Sequence, residues 1–429
     1  MRVDCWILGV GISGAGLARA LSGRGLTLAL SDDKMDPATL QTLAAELGAQ
    51  VWPVDPALVA QAAAITPAPG IRPEHPVRAA AQGAGKVVGD VEWLARLRPE
   101  RLLCAITGTN GKSTITALIA HLLGVAPSGN IGRAAGEAIA EVDTGPLVVE
   151  VSSFQAELVA TVKPKVGIYA NLAPDHFDRY PDLAAYHAAK GRLFERMGLG
   201  DTLIVGAGIP TDWLEDRRRA GVEVVEVAES DDPLLGSGFE NLPLQLIGRP
   251  NRWNVAVAIL AARQLGLDEG VLTRRLLSFE PLPHRMVPVA QTGSRLCVDD
   301  SKATNVHAAA AALRGWARGA GALWWIVGGL AKEYDFLELA AAAQGLEIHP
   351  LYFGKDGPRI AAQLQPLLGG EVVADMAAAL DRVSGEGAVL LSPACASFDL
   401  YTSFGQRGDH FADLCRQRFG APTAHRVGA

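Results

Sequence analysis

Residues 102–114 read Leu-Leu-Cys-Ala-Ile-Thr-Gly-Thr-Asn-Gly-Lys-Ser-Thr. The apolar run Leu102–Ile106 predicts a buried strand. Gly108 and Gly111 then permit a tight turn with inward-facing amides. A helix follows through Leu118, Ile119, Leu122 and Leu123. A helix N-terminus favours anions, because its first amides lack partners and the helix dipole is positive there. Lys112 suits the outer phosphates of a nucleotide, and the hydroxyls of Ser113 and Thr114 suit its Mg²⁺. One position departs from the G-x-x-x-x-G-K-[ST] pattern: Ile106 stands where the first glycine would be. The alternative is an ordinary glycine-rich turn. Placement between strand and helix favours the phosphate loop.

Working outward, 429 residues predict roughly two to four domains. Hydrophobic residues make up 49% and charged residues 20%, which indicates packed cores rather than disorder. A net charge of −7 argues against a broad nucleic-acid surface but leaves room for local basic pockets. Cys5, Cys104, Cys297, Cys395 and Cys415 are odd in number and widely spaced, with neither disulfide nor zinc spacing. They predict a reducing, cytoplasmic setting. No apolar stretch reaches membrane-spanning length. Val3–Leu8 runs straight into a glycine-rich turn and reads as a first strand, not as a signal segment.

Apolar runs alternate with helical patterns in three segments, which predicts parallel sheets covered by helices. The expected boundaries are 1–96, 97–281 and 282–429. Expected strands include 3–8, 26–31, 147–151, 166–170, 295–299, 323–327, 348–353 and 388–391. The alanine-rich stretch 308–312 predicts a tightly packed helix.

Several clusters fall where these strands end. Gly9-Val10-Gly11-Ile12-Ser13-Gly14 fits G-x-G-x-x-G, with Asp32 and Asp33 closing the next strand. The motif describes a backbone cradle for a diphosphate and does not say which one. Glu150 follows an apolar strand and could hold Mg²⁺, or could be a strand-end acid paired with a surface lysine. His176, after Asn171-Leu172-Ala173-Pro174-Asp175, could bind metal, phosphate or carboxylate, or serve structurally. Lys190 lies in a helix and reads as a solvated lysine. Its alternative is a neutral amine that adds CO₂ to become a carbamate. Asn251-Arg252-Trp253-Asn254 suits a helix cap or a nucleotide contact. His284-Arg285 marks the second boundary. Asp299–Asn305 forms a polar strand end, with Ser301 or Thr304 as candidate caps. Gly328-Gly329 with Lys332, and Ser392–Asp399, follow later strands. Cys395 lacks an evident base and reads as a packed residue rather than a nucleophile.

Thr107–Thr114, Glu150–Gln155, Asp175-His176, Leu282–Arg285, Asp300–Asn305 and Ser392–Ser397 together resemble the Mur ligases, in order and over nearly the whole chain. The Asp-Ser-Lys-Ala-Thr-Asn and Ser-Pro-Ala-Cys-Ala-Ser runs favour the branch that adds D-glutamate. The resemblance implies an α/β fold of three domains: a Rossmann-like N-terminal domain for a UDP-sugar, a central P-loop domain for ATP, and a Rossmann-like C-terminal domain for the amino acid. It implies that Ile12, Ser13, Asp32, Gly70 and Asn130 line the UDP-sugar site. Gly108, Thr109, Asn110, Gly111, Lys112, Ser113 and Thr114, with Asn254, Arg285 and Asp300, would hold ATP. Ser113, Glu150, His176 and Lys190, the last as a carbamate, would arrange two Mg²⁺ ions. Lys112, His176 and Lys190 would be the catalytic set. Lys302, Thr304, Lys332, Ser397 and Phe404 would receive D-glutamate. The implied substrates are UDP-N-acetylmuramoyl-L-alanine and D-glutamate, handled by a monomer without nucleic acid or membrane. Competing expectations are a sibling Mur ligase, a folylpolyglutamate-type ligase, or an NAD-dependent oxidoreductase. The last leaves the 105–114 loop unexplained.

Overall fold

The computed structural model describes residues 2–141, 144–177, 179–228, 249–293, 295–316 and 321–420. Three sheets are present among them. The first joins β1 (Val3–Leu8), β2 (Leu28–Ser31), β3 (Gln50–Val51) and β4 (Ala62–Pro67) in the order β3-β2-β1-β4, all parallel. The second comprises β5 (Leu103–Thr107), β6 (Ser128–Gly129), β7 (Leu147–Glu150), β8 (Val166–Tyr169), β9 (Thr202–Val205) and β10 (Glu223–Glu226). Its order is β10-β9-β8-β5-β7-β6, again all parallel. The third comprises β11 (Val287–Thr292), β12 (Arg295–Asp299), β13 (Leu323–Gly328), β14 (Ile348–Phe353), β15 (Glu371–Val372) and β16 (Ala388–Leu391), in the order β11-β12-β16-β13-β14-β15.

Every residue of β5, β7, β8 and β9 is buried. A parallel strand covered on both faces needs apolar side chains at every position, which is why these strands read as continuous runs. Observed strand limits lie within two residues of those expected. The third sheet departs at one edge: β11 pairs antiparallel with β12. Their connection is too short for the crossover that a parallel pair requires.

The described residues fall into two compact units, one built on the first and second sheets together and one on the third. A glycine contact helps to join the first two sheets. The Ile12–Ser22 and Ala135–Ala140 helices approach so closely that a Cβ on Gly136 would lie 2.3 Å from backbone atoms of Gly16 and Leu17. The expected boundary at 96/97 therefore separates two sheets that share one packed body.

Asp182 caps the Leu183–Gly191 helix by accepting from the Ala185 amide, and Ser152 forms a capping box with Gln155. Asn305, rather than Ser301 or Thr304, caps the Val306–Gly315 helix through the Ala308 amide. Asn251 lies inside the Arg249–Gln264 helix, so it is not that helix's cap.

Candidate functional site

Ligands of open parallel sheets bind beyond the carboxyl ends of the strands, where strand order reverses. In the first sheet that point lies between β1 and β4. The turn after β1 is tight: a Cβ on Gly14 would lie 2.1 Å from the Gly9 carbonyl oxygen. Asp32 braces it, with Oδ2 accepting from Val10 N at 2.6 Å and Oδ1 from Lys34 N and Met35 N at 2.8 Å each. Partial burial alone would raise its pKa. The three amides outweigh that effect and hold the carboxyl below its usual range. Ile12, 87% exposed, and the half-buried Ser13 begin the following helix. Gly70 lies in the loop after β4, beside Ile71, whose side chain reaches the Gly9 turn. Asn130 is placed elsewhere, after β6, where its Nδ2 donates to Glu150 Oε1 at 2.8 Å.

In the second sheet β5 sits between β7 and β8, so the loop Gly108–Thr114, Glu150 and the segment 171–176 emerge at one edge. The first turn of the Lys112–Leu123 helix provides amides with no intrahelical acceptor. The amides of Thr109 and Asn110 are already engaged, donating to Asn171 O at 3.0 Å and Asn171 Oδ1 at 2.9 Å. The inward-facing amides expected along the whole loop thus narrow to its helical end. Asn171 is a bracing residue that sequence reasoning passed over. Its polar side chain just past an apolar strand was the available signal.

Lys112 Nζ donates to Gly108 O and Thr109 O, both at 2.8 Å. Lys190 Nζ donates to the same Gly108 oxygen at 2.7 Å. Lys190 is 1% exposed and not a solvated lysine. Burial foremost, and then the Lys112 cation, push its pKa well down, while Asp175 and Glu150 oppose this. Its ammonium also faces the Tyr186 ring at 4.6 Å.

Glu150 is 1% exposed, and its Oε2 is buried without a hydrogen-bond partner. The expected alternative of pairing with a surface lysine therefore fails. His176 has φ +57°, uncommon for a non-glycine residue. Its ring meets Phe154 edge-on at 5.1 Å, and Nε2 lies 3.7 Å from Asp175 Oδ2. Ser113 is buried near the start of the loop helix.

The donor set fits Mg²⁺. A buried carboxylate oxygen lacks a partner, a hydroxyl starts the phosphate-loop helix, and no three His, Cys, Asp or Glu side chains among the described residues gather into a metal cage. Mg²⁺ habitually uses one or two carboxylates plus substrate phosphates and water rather than an all-protein cage.

The remaining expected residues divide. Asn254 is buried in the Arg249–Gln264 helix. Asn254, Arg285 and Asp300 all fall in the third sheet's unit. Burial foremost raises the Asp300 carboxyl to about 7, against the Ser392 hydroxyl, which donates to Oδ2 at 2.8 Å, and the Arg285 cation. β12, β16 and β13 are neighbours, so Asp300–Asn305, Ser392–Ser397 and Gly328–Lys332 leave one edge together. Leu330 pairs with Ala396 across two of these loops. Lys302 Nζ lies 3.7 Å from the Phe404 ring centroid, a cation–π contact. Thr304 is half-buried, Ser397 buried and Lys332 exposed. Cys395 is fully buried and burial raises its thiol pKa, as befits a packed residue.

Arg407 escaped the sequence reading. It is fully buried, donating from Nε to Ser301 Oγ at 2.9 Å and from Nη2 to Ser301 O at 2.8 Å. Its Nη1 has no partner and lies near Gly329 and Cys395. Its helical spacing with Phe411 and Cys415, which puts it on the buried face, was the available signal.

Three sheets, two of them parallel throughout and each with a glycine-rich strand-to-helix turn, define a layered α/β protein. The family models agree: that of the Mur ligase middle domain matches residues 106–262, and that of the MurD-like N-terminal domain of Mur ligases matches residues 3–89. The chain belongs to the Mur ligase family. It is 36% identical to the UDP-N-acetylmuramoylalanine–D-glutamate ligase of Rhizobium meliloti, over 94% of each chain. It is 35% identical to the ligase of the same name from Shewanella oneidensis, over 96% of this chain and 98% of that one. Among solved structures, MurF from Acinetobacter baumannii shares the fold, with a TM-score of 0.60 at 16% identity over 96% of this chain and 93% of that one.

Proposed function

We propose that this protein is an ATP-dependent ligase that joins D-glutamate to UDP-N-acetylmuramoyl-L-alanine in peptidoglycan precursor synthesis. The near full-length identity to D-glutamate ligases of that name carries the choice of substrates. The convergence of two lysines on Gly108 O, beside a buried unpartnered carboxylate oxygen, supports the choice of chemistry.

In the first step the L-alanyl carboxylate attacks the γ-phosphorus of ATP, the bond to the ADP oxygen breaks, and an acyl phosphate and ADP result. In the second, the D-glutamate amine attacks the acyl carbon and phosphate departs from a tetrahedral intermediate. Both reactants of the first step are anionic. The ammonium of Lys112 and the amides at the start of its helix offset that repulsion by fixed charge and position. Bound Mg²⁺, held by Ser113, Glu150, His176 and a carbamate on Lys190 at two sites, would supply further charge neutralisation. The depressed pKa of Lys190 favours this assignment, since only a neutral amine adds CO₂. Without the carbamate, Lys190 would present an amine where an oxygen donor is needed.

Ile12, Ser13, Asp32, Gly70 and Asn130 are assigned to the UDP-sugar. Gly108–Thr114, Asn254, Arg285 and Asp300 are assigned to ATP. Lys302, Thr304, Lys332, Ser397 and Phe404 are assigned to D-glutamate, whose two carboxylates explain the cations. We assign one nucleotide-sugar domain, one ATP domain and one amino-acid domain to 1–96, 97–281 and 282–429, acting as a cytoplasmic monomer. No helix among the described residues is long and apolar enough to cross a membrane.

The test is ADP release with UDP-N-acetylmuramoyl-L-alanine, Mg²⁺ and each of D-glutamate, L-glutamate, L-alanine and meso-diaminopimelate. Turnover with D-glutamate alone is expected. Turnover with another amino acid changes the amino-acid assignment, and none with any refutes ligation to this muramoyl nucleotide.

A further inference from the structure

One carboxylate connects the loop beside the nucleotide-sugar cradle to the loop that carries His176. Glu157 follows the short Ser153–Ala156 helix at its C-cap and is engaged by three side chains. Arg78 Nη2 donates to its Oε2 at 3.2 Å. Arg179 donates twice, from Nε to Oε1 at 3.1 Å and from Nη2 to Oε2 at 2.6 Å. The Tyr180 hydroxyl donates to Oε1 at 2.5 Å.

The two ends of this cluster lead to different sites. Arg78, on the Pro76–Gly83 helix, also donates from Nη1 to the carbonyl of Ile71, the residue after Gly70. The Ile71 side chain in turn lies against the Gly9 turn. At the other end, the Arg179 guanidinium lies 4.2 Å from the Phe154 ring centroid, and Phe154 meets the His176 ring. Tyr180 packs on Tyr186 at 5.3 Å, and Tyr186 faces the Lys190 ammonium. The side chains of Arg78, Arg179 and Glu157 are 5%, 10% and 20% exposed, so removing one partner leaves charge poorly solvated. A surface pair would lack that leverage.

We propose that Arg78 and Glu157 are positioning residues that couple occupancy of the nucleotide-sugar site to the geometry of His176 and Lys190, so that the muramoyl nucleotide strengthens binding of Mg²⁺·ATP. This rests on the substrates assigned above. Arg78 is the informative member, because it alone of the three donors comes from the sugar side. Coupling between two sites is a shared free energy and is reciprocal. It is read directly as the factor by which one ligand changes the affinity for the other.

The experiment is calorimetric titration of the full-length protein with Mg²⁺ and a non-hydrolysable ATP analogue, with and without saturating UDP-N-acetylmuramoyl-L-alanine. Wild type is expected to show a coupling factor of about tenfold. Arg78→Leu should bring it close to one, and Arg78→Lys should restore part of it. Glu157→Gln should lose it as well, and the double variant Arg78→Leu/Glu157→Gln should lose no more than either single variant, as expected of two residues in one link. Circular dichroism and unfolding midpoints identify variants that misfold, and Arg78→Lys keeps the test open if Arg78→Leu does. A wild-type factor of one, or an unchanged factor in a folded Arg78→Leu protein, overturns the proposal. The measurement is of binding alone. Failure of D-glutamate ligation in the ADP-release assay would overturn the functional reading instead.

Discussion

Replacing Glu150 with glutamine should have opposite effects on the empty and the loaded protein. Oε1 of Glu150 accepts from Asn130, and glutamine can keep that bond, while Oε2 is buried without a partner. Such an orphaned polar atom costs on the order of 1–3 kcal/mol, more when charged. Removing the charge at nearly constant volume should therefore leave the ligand-free protein as stable as wild type, or more stable by about 1 kcal/mol. With ligand the order reverses. At about 100 times the dissociation constant, Mg²⁺·ADP adds ~2.7 kcal/mol to the folded state by linkage. If loss of this oxygen weakens binding roughly a hundredfold, the same concentration adds only ~0.4 kcal/mol. The assay is denaturant unfolding of both proteins with and without Mg²⁺·ADP, followed by tryptophan fluorescence. A variant that is destabilised when empty, yet gains as much from Mg²⁺·ADP as wild type, would show that the carboxylate serves the fold and not the cation.

Lys190→Met should abolish ADP release and raise the unfolding midpoint. A lysine whose folded pKa is depressed opposes folding increasingly as pH falls below its unfolded value near 10.4, so the gain should grow from pH 9 to pH 7. Asp300, held at about 7 when folded, behaves in the opposite sense. Its raised pKa favours folding at acid pH, and that contribution is lost as pH rises through about 7. Asp300→Asn should therefore stabilise the ligand-free protein at pH 8, by up to a few kcal/mol, and much less at pH 5. Chemical denaturation at the two pH values checks the sign. Gly136→Ala should destabilise by about 1–3 kcal/mol, because a methyl group has no room beside Gly16 and the two helices must move apart. Equal stability of this variant would mean that the helices can separate freely.

The parts of the site that can be read from the chain alone are those in which neighbouring residues do the chemistry together. The 105–114 loop is one: strand, turn, lysine and hydroxyl follow one another, so their spacing already brings helix-start amides, charge and hydroxyl together. The Gly9–Gly14 turn is another, and there the structure added Asp32 as a brace. Strand positions were equally legible, because fully buried parallel strands demand unbroken apolar runs. The β11–β12 edge was not, since a short antiparallel return leaves a weaker pattern than repeated crossovers.

Four decisive features have no sufficient local signature. Lys190 stands in an ordinary helical pattern, and only the folded chain brings its amine to Thr107 and the Gly108 carbonyl, which Lys112 also engages. Arg407 shares a helical face with Phe411 and Cys415, but folding alone brings it to Ser301. Glu157 takes partners from two distant stretches of chain, Arg78 from one and Arg179 and Tyr180 from the other. Gly136 looks like any small helical residue until Gly16 lies against it. The order of residues by itself determined the glycine-rich strand-to-helix turn, the layered α/β plan and the family, because covalent neighbours share those geometries. Tertiary structure alone decided which charges lose their water, since desolvation depends on what folds over a side chain and not on what precedes it in the chain.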